Sequence, residues 1–518
     1  MSSRIEDYAL IGDCETAALV GRDGSIDWLC WPRFDSGACF AALLGTEENG
    51  RWLLAPEAAG ARITRRYRQD TLVLETDFET DEGAVTVIDF MPVRDGVPDL
   101  IRIVVGRSGQ LRMNMELLLR FDYGKVVPWV SRQPDGTNRA IAGPNKVRLS
   151  ASVEVHGEAL KTVAQFTVAA GQRQHFVLSY GESHLPDVTA QDPEKALAAT
   201  EEFWRSWAGR CSYRGAWPAV VKRSLITLKA LTYAPTGGLV AAATTSLPER
   251  IGGERNWDYR YCWLRDATLT LLSLVDAGYY EEAEAWREWL LRAVAGSPAQ
   301  VQIMYGLAGE RRLKEWELEW LSGYEGSRPV RVGNDASPQL QIDVFGEVMD
   351  ALHQARSAGL PASPAGWALE CALLKHLETL WSQPDRGIWE VRGALRHFTH
   401  SKVMAWVAFD RGIRSVEDFG LEGPVDRWRE VRDQIHREVC ERGYSEQVGA
   451  FVQSYDSSAL DASLLLVPLV GFLPASDRRV QGTVAAVERA LLVDGLVVRY
   501  HTEAADDGLP PGEGTFLA

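Results

Sequence analysis

The sequence predicts a multidomain β + α protein in which an N-terminal β-sandwich precedes an (α/α)6 barrel that is incomplete at the C-terminus. Three observations lead to this prediction. The hydrophobic pattern has a period of two up to about residue 190 and then changes to helical spacing. Polar, aromatic loops precede every second predicted helix. The helical patterns end with the start of a tenth helix, whereas a complete barrel of this kind has twelve.

Residues 1–190 are predicted to form the sandwich. Val147, Leu149 and Val153 alternate with polar residues, which is typical of a strand with one buried face. Similar short runs, separated by turn signals such as DEG, SGQ and AAGQ, lie at 85–90, 100–106, 111–121, 161–168 and 175–180. Residues 191–215 then change to helical spacing and are interpreted as a linker helix.

Residues 216–518 are predicted to form the barrel, with no strand between its helices. Helical patterns lie at 218–234, 266–277, 280–295, 345–357, 365–381, 401–413, 425–441, 460–470 and 478–491, and a tenth begins near 513. If the even-numbered helices form an inner ring, the aromatic loops before them meet at one mouth. Because Phe516 to Ala518 carry no helix stop signal, we expect the last helices of the barrel to be missing.

Composition excludes several classes of partner. A net charge of -16 over 518 residues repels nucleic acid and anionic membrane surfaces. Seven scattered cysteines without a CxxC pair indicate reduced thiols in a cytoplasmic protein. The longest apolar run, LLLVPLVGFL, is too short to span a bilayer. No motif indicates a nucleotide, a metal or another cofactor, and the sequence leaves the oligomeric state unknown.

The loop NWDYRYCWLRD combines aromatic rings and charges directly before a helix. Tyr259, Tyr261 and Trp263 offer faces on which a sugar ring stacks, and Arg265 and Asp266 offer charged partners for sugar hydroxyls. An aromatic plug that closes a helical core is the alternative. Since an adjacent Arg and Asp are awkward to bury, the sugar pocket is favoured.

The run YCWLRD and the opening IEDYALIGDCETAALVGRDGSIDWLCWPRFDS resemble glycoside hydrolase family 15, which contains the glucoamylases and the bacterial and archaeal trehalases. The resemblance implies the (α/α)6 barrel and an inverting, exo-acting α-glucoside hydrolase that releases glucose. Trehalose is the first choice of substrate and a malto-oligosaccharide the second. Further residues resemble the substrate-binding residues of the family's pocket: Trp389, Glu390, Arg392, Lys402 and Arg499.

Glycoside hydrolysis needs two carboxyl groups. Glu347, expected in the first turn of the fourth helix, resembles an acidic residue in the family's Asp-x-aromatic-Glu-Glu segment, although Gly346 stands where that segment has its first Glu. The resemblance therefore implies that Glu347 is the general acid. It also implies that the base belongs just before the twelfth helix, beyond residue 518, with Glu513 as the fallback.

Two readings compete with catalysis. A carbohydrate-binding or regulatory barrel without activity is the first, as in the resembling barrel of phosphorylase kinase regulatory subunits. A structural helical scaffold is the second, and the recurring polar, aromatic loops argue against it. His397 and His400 have a spacing that suits a metal, but no carboxylate or Cys completes the set, so a loop-packing role is favoured.

Overall fold

The computed structural model describes residues 3–94, 96–187, 189–360, 362–502 and 507–509. Its N-terminal part is an antiparallel β-sandwich, as the alternating pattern predicts. The strands and one helical turn are β1 (Tyr8–Gly12), β2 (Ala17–Gly21), β3 (Ser25–Cys30), β4 (Ala38–Phe40), β5 (Arg51–Pro56), β6 (Arg62–Tyr67), β7 (Leu74–Thr80), β8 (Gly83–Phe90), β9 (Asp99–Leu118), α1 (Phe121–Gly124), β10 (Trp129–Arg132), β11 (Asn138–Ala142), β12 (Asn145–Ala151), β13 (His156–Glu158), β14 (Lys161–Ala169) and β15 (Arg173–Glu182).

One strand belongs to both sheets of the sandwich. The first half of β9 pairs with β8 and β15, and its second half pairs with β5 and β14. The strand changes sheets near Gly109, where φ is 59° and a Cβ would collide with the carbonyl oxygen of Glu82, so this bend requires glycine. Leu54, Met113 and Phe176 are fully buried between the two sheets.

Helices follow the sandwich. They are α2 (Pro193–Gly209), α3 (Pro218–Ala230), α4 (Leu264–Asp276), α5 (Tyr280–Val294), α6 (Asp343–Ser357), α7 (Pro364–Leu380), α8 (Thr399–Phe419), α9 (Val425–Arg442) and α10 (Arg478–Leu491). Two expectations are wrong in detail. The helix expected at 460–470 is only a 3-10 turn, Ala462–Leu466, and five ladders of two-residue strands lie among the helices. A pattern of only eleven residues is too short to distinguish a helix from a turn by its periodicity.

Within the described residues, helices α4, α6 and α8 form the inner layer of the barrel. Helix α8 is buried almost continuously from Thr399 to Ile413, and α6 is buried from Asp343 to Met349. The two helices touch at Gly346, where a Cβ would collide with the carbonyl oxygen of Met404. Helix α4 packs on α6, and α5, α7 and α9 show the one-sided burial of outer helices. The predicted alternation of inner and outer helices is therefore present over this part of the barrel.

The sandwich supports the aromatic loop of the barrel. Arg260 is fully buried, pairs with Asp258 at 2.7 Å and donates from Nη1 to the carbonyl oxygen of Ser36 at 3.0 Å. Trp28 of β3 donates from Nε1 to the carbonyl oxygen of Ala243 at 2.8 Å. The loop that carries Trp263 is therefore anchored on the N-terminal domain.

Candidate active site

The inner helices α4, α6 and α8 begin at one mouth, with Arg265 at its centre. The Arg265 side chain donates to the carbonyl oxygen of Ile388 at 2.7 Å and lies 3.5 Å from carboxylate oxygens of Asp266 and Glu390. Burial alone would lower the pKa of Arg265, but the surrounding carboxylates raise it. These carboxylates belong to Asp266, Glu390, Asp343 and Glu347.

Aromatic residues line the same mouth. Trp263 donates from Nε1 to Oε1 of Glu390 at 2.7 Å, and the ring of Tyr259 lies 5.7 Å from the Trp263 ring. The guanidinium of Arg499 lies 5.1 Å over the ring of Trp389. This arrangement offers both stacking surfaces and charged hydrogen-bond partners, which is what a pyranose ring requires.

Two carboxyl groups beside Arg265 have raised pKa values. Burial raises the pKa of Glu347 well above its usual range, and the negative charge of Asp343 raises it further. Burial also raises the pKa of Glu390, against the lowering effects of Arg265 and of the Trp263 hydrogen bond. A carboxyl group with a raised pKa keeps its proton to a higher pH than usual and can donate it to a leaving oxygen.

Sequence reasoning missed a layer of polar groups behind the mouth. Burial and the nearby charge of Asp385 raise the pKa of Asp343 to about 7, and neither oxygen of Asp343 has a hydrogen-bond partner within the described residues. Asp385 accepts from the amide of Ile342 at 2.9 Å. Their positions in the sequence could have indicated these residues, since Asp343 is the first residue of an inner helix and Asp385 begins the loop that leads to Trp389.

His400 belongs to this layer. Burial, with a contribution from the positive charge of Arg265, lowers the pKa of His400 to about 3, so the ring is neutral. The ring of His397 stacks on the ring of Tyr455, with the two ring centroids 5.8 Å apart. Among the residues that the structure describes, no group of three or more His, Cys, Asp or Glu side chains is arranged to hold a metal ion.

Several residues expected in the pocket lie elsewhere. Lys402 is fully buried and donates to the carbonyl oxygens of Trp381, at 2.6 Å, and Gln383, which places it at the end of α7. Tyr261 packs in the helical core beside the Asp258–Arg260 pair. Arg392 lies at the rim, where it pairs with Glu315 at 3.1 Å. The fallback base Glu513 lies outside the described residues.

Glu347 lies two residues deeper in its helix than expected. Helix α6 begins at Asp343, two residues before the predicted start, so Glu347 lies beyond the first turn and is 7% exposed. The side chain of Glu390 is 19% exposed. Glu390 also has a left-handed backbone, with φ of 58°, which is uncommon for a residue other than glycine and is found where function requires strain.

Comparisons with known proteins agree with this architecture. The family model "Glycosyl hydrolases family 15" matches residues 218–518, and the model "Trehalase-like, N-terminal" matches residues 1–204. A protein of Mycolicibacterium smegmatis named trehalase is 38% identical, and the alignment covers 99% of this chain and 81% of the relative. A protein of Thermoplasma volcanium named trehalase is 34% identical, over 99% of this chain and 83% of the relative.

A solved structure shows the fold. A bacterial glucoamylase, determined in complex with acarbose, superposes with a TM-score of 0.73 over 100% of this chain and 84% of the glucoamylase, at 12% sequence identity. The predicted β-sandwich followed by an (α/α)6 barrel is therefore confirmed as the fold class. In the described part of the chain, no helix has the length and apolar character needed to cross a membrane. With its family model covering the helical region and its relatives aligned along nearly the whole chain, the protein belongs to glycosyl hydrolase family 15.

Proposed function

We propose that this glycoside hydrolase cleaves trehalose into two glucose molecules, with inversion at the attacked anomeric carbon. The similarity to named trehalases along nearly the whole chain, including the N-terminal domain, carries the proposal. The substrate is a small carbohydrate, and the mouth formed by Trp263, Arg265 and Trp389 has the mixed aromatic and charged lining that suits one.

Within this function, we infer that Glu390 donates the proton to the leaving oxygen. Three features support Glu390: its raised pKa, its greater exposure, and its contacts with Trp263 and Arg265 at the mouth. Glu347 is less exposed than Glu390. Its pKa is raised mainly by burial and next by the negative charge of Asp343. The sequence analysis instead predicts that Glu347 is the general acid. The two assignments can be distinguished, because each predicts that activity is lost when its own glutamate is replaced.

The remaining predicted residues have supporting roles. Arg265 and Asp266 take sugar hydroxyls, while Tyr259, Trp263 and Trp389 form the stacking walls. Arg499 holds the Trp389 ring from one side. For the base that activates water, we keep the prediction from the family resemblance, which places it beyond residue 518 with Glu513 as the fallback.

The experiment is glucose release by the purified full-length protein from equal concentrations of trehalose and maltose, with Glu390→Gln as the inactive control. Faster release from trehalose supports the proposal. Faster release from maltose would assign the protein to glucoamylase-like hydrolysis. If the unmodified protein releases no more glucose from either sugar than Glu390→Gln does, a non-catalytic, carbohydrate-binding protein would be favoured.

A further inference from the structure

The segment that carries Glu390 is held from several sides. Arg265 donates to the carbonyl oxygen at its start at 2.7 Å, and the next residue, Trp389, donates from Nε1 to the carboxylate of Asp461 at 3.0 Å. The left-handed backbone of Glu390, with φ of 58°, is strained and persists only where surrounding contacts impose it. The position of this carboxyl therefore depends on its anchors.

The far end of the segment is anchored by a carboxylate from another part of the chain. Arg392 Nη2 lies 3.1 Å from Oε2 of Glu315, and Arg331 Nε lies 3.3 Å from Oε1 of the same residue. The two guanidinium carbons lie 4.2 Å (Arg392) and 4.5 Å (Arg331) from the centroid of the Trp257 ring. Glu315 thus bridges two cations that share one indole.

Without the negative charge of Glu315, the positive charges of Arg331 and Arg392 would repel each other. Burial lowers the pKa of Arg331, the carboxylate of Glu315 raises it, and the positive charge of Arg392 lowers it again. The side chains of Arg331 and Glu315 are each only 11% exposed, so solvent screens the charge of Arg331 weakly. Of the two arginines, Arg392 is the more exposed at 32%, so its side chain is the one free to move away.

We propose that Glu315 is a positioning residue for the reaction: it holds Arg392, and through Arg392 it holds the backbone that presents Glu390 to the substrate. This inference rests on the proposed function. Glu315 touches neither Glu390 nor Arg265 in any contact described above, so its effect on catalysis passes through Arg392.

The test compares Glu315→Gln with Glu317→Gln, an exposed carboxylate two residues along, in the short strand that pairs with residues 331–332. Glu315→Gln keeps the side-chain shape but removes the charge. We expect kcat for trehalose to fall by about tenfold to a hundredfold, the scale of a small misplacement of a reacting group. KM and the melting temperature should stay close to those of Glu317→Gln, which should behave like the unmodified protein.

A double-mutant cycle separates positioning from a general structural effect. If Glu315 acts through Arg392, the double variant Glu315→Gln, Arg392→Gln should lose no more kcat than Arg392→Gln alone. Additive losses, or equal kcat in Glu315→Gln and Glu317→Gln, would overturn the inference while the function stands. Should Glu315→Gln lower the melting temperature, the cycle is measured at a temperature where all variants are folded. An unmodified protein that releases no glucose from trehalose would overturn the proposed function and this inference with it.

Discussion

Replacing Glu390 by Gln removes the proton that the proposed mechanism transfers, while leaving the shape of the site nearly unchanged. Trp263 Nε1, 2.7 Å from Oε1, can still donate to the amide oxygen of Gln, so the aromatic wall stays in place. Only the weaker contact with Arg265, at 3.5 Å, loses its charge. We therefore expect KM to change little and kcat to fall by about 10² or more, the usual contribution of a positioned general acid.

Glu347→Gln is the matched comparison. Burial and the negative charge of Asp343 raise the pKa of Glu347 well above its usual range, which favours the neutral form of this side chain. Gln resembles a protonated Glu in size and charge, so the substitution should lower kcat by less than about tenfold unless the proton itself is transferred. The comparison thus separates a buried carboxyl group that only packs at the site from one that transfers its proton.

The assay is the initial rate of glucose release from trehalose across a range of pH. A general acid must be protonated, so activity is present below its pKa and is lost as the pH rises through it. Since the pKa of Glu390 is raised, this loss should occur above the range of an ordinary carboxyl, and the alkaline limb should be absent from the residual activity of Glu390→Gln. A hundredfold loss in Glu347→Gln together with near-normal rates in Glu390→Gln would show that Glu347, and not Glu390, is the general acid, as predicted from the sequence.

Three further outcomes are expected. Arg260→Met should lower the free energy of unfolding by about 3–5 kcal/mol in urea titrations, because it leaves a buried carboxylate unpaired; an unchanged midpoint would contradict this. Trp263→Phe removes the hydrogen bond that lowers the pKa of Glu390, so the alkaline limb of the pH profile should move to higher pH, and a move to lower pH would count against the assignment. Gly346→Ala should lower the melting temperature, with a cost of about 1–3 kcal/mol, because the new methyl group meets the carbonyl oxygen of Met404; a melting temperature equal to that of the unmodified protein would show that α6 and α8 can separate.

Much of the architecture could be predicted because the hydrophobic period is a local signal. The change from period two to helical spacing separates β15 from α2, and the start predicted at residue 266 lies two residues after the observed start of α4. The expected helix at 460–470 failed because a short apolar run contains too few turns to distinguish a helix from a 3-10 turn. The sharing of β9 between two sheets depends on long-range pairing, which no local pattern reports.

The site was only partly predictable for a related reason. Trp263 and Arg265 stand out because an aromatic and charged loop directly before a helix is rare in a buried core. Lys402 also resembles a pocket residue in the sequence, yet its amine donates to the carbonyl oxygens of Trp381 and Gln383. The direction of a side chain cannot be predicted from sequence spacing. The Glu315–Arg392 pair joins residues 77 positions apart and becomes visible only in the fold.

Proton NMR of the first glucose released from trehalose distinguishes an inverting from a retaining hydrolase. Both anomeric carbons of trehalose have the α configuration. Inversion at the attacked carbon therefore yields one β-glucose and one α-glucose, whereas retention yields only α-glucose before the products equilibrate. We expect equal amounts of the two anomers at the earliest times. Release of α-glucose alone, or no release of glucose from trehalose, would contradict it.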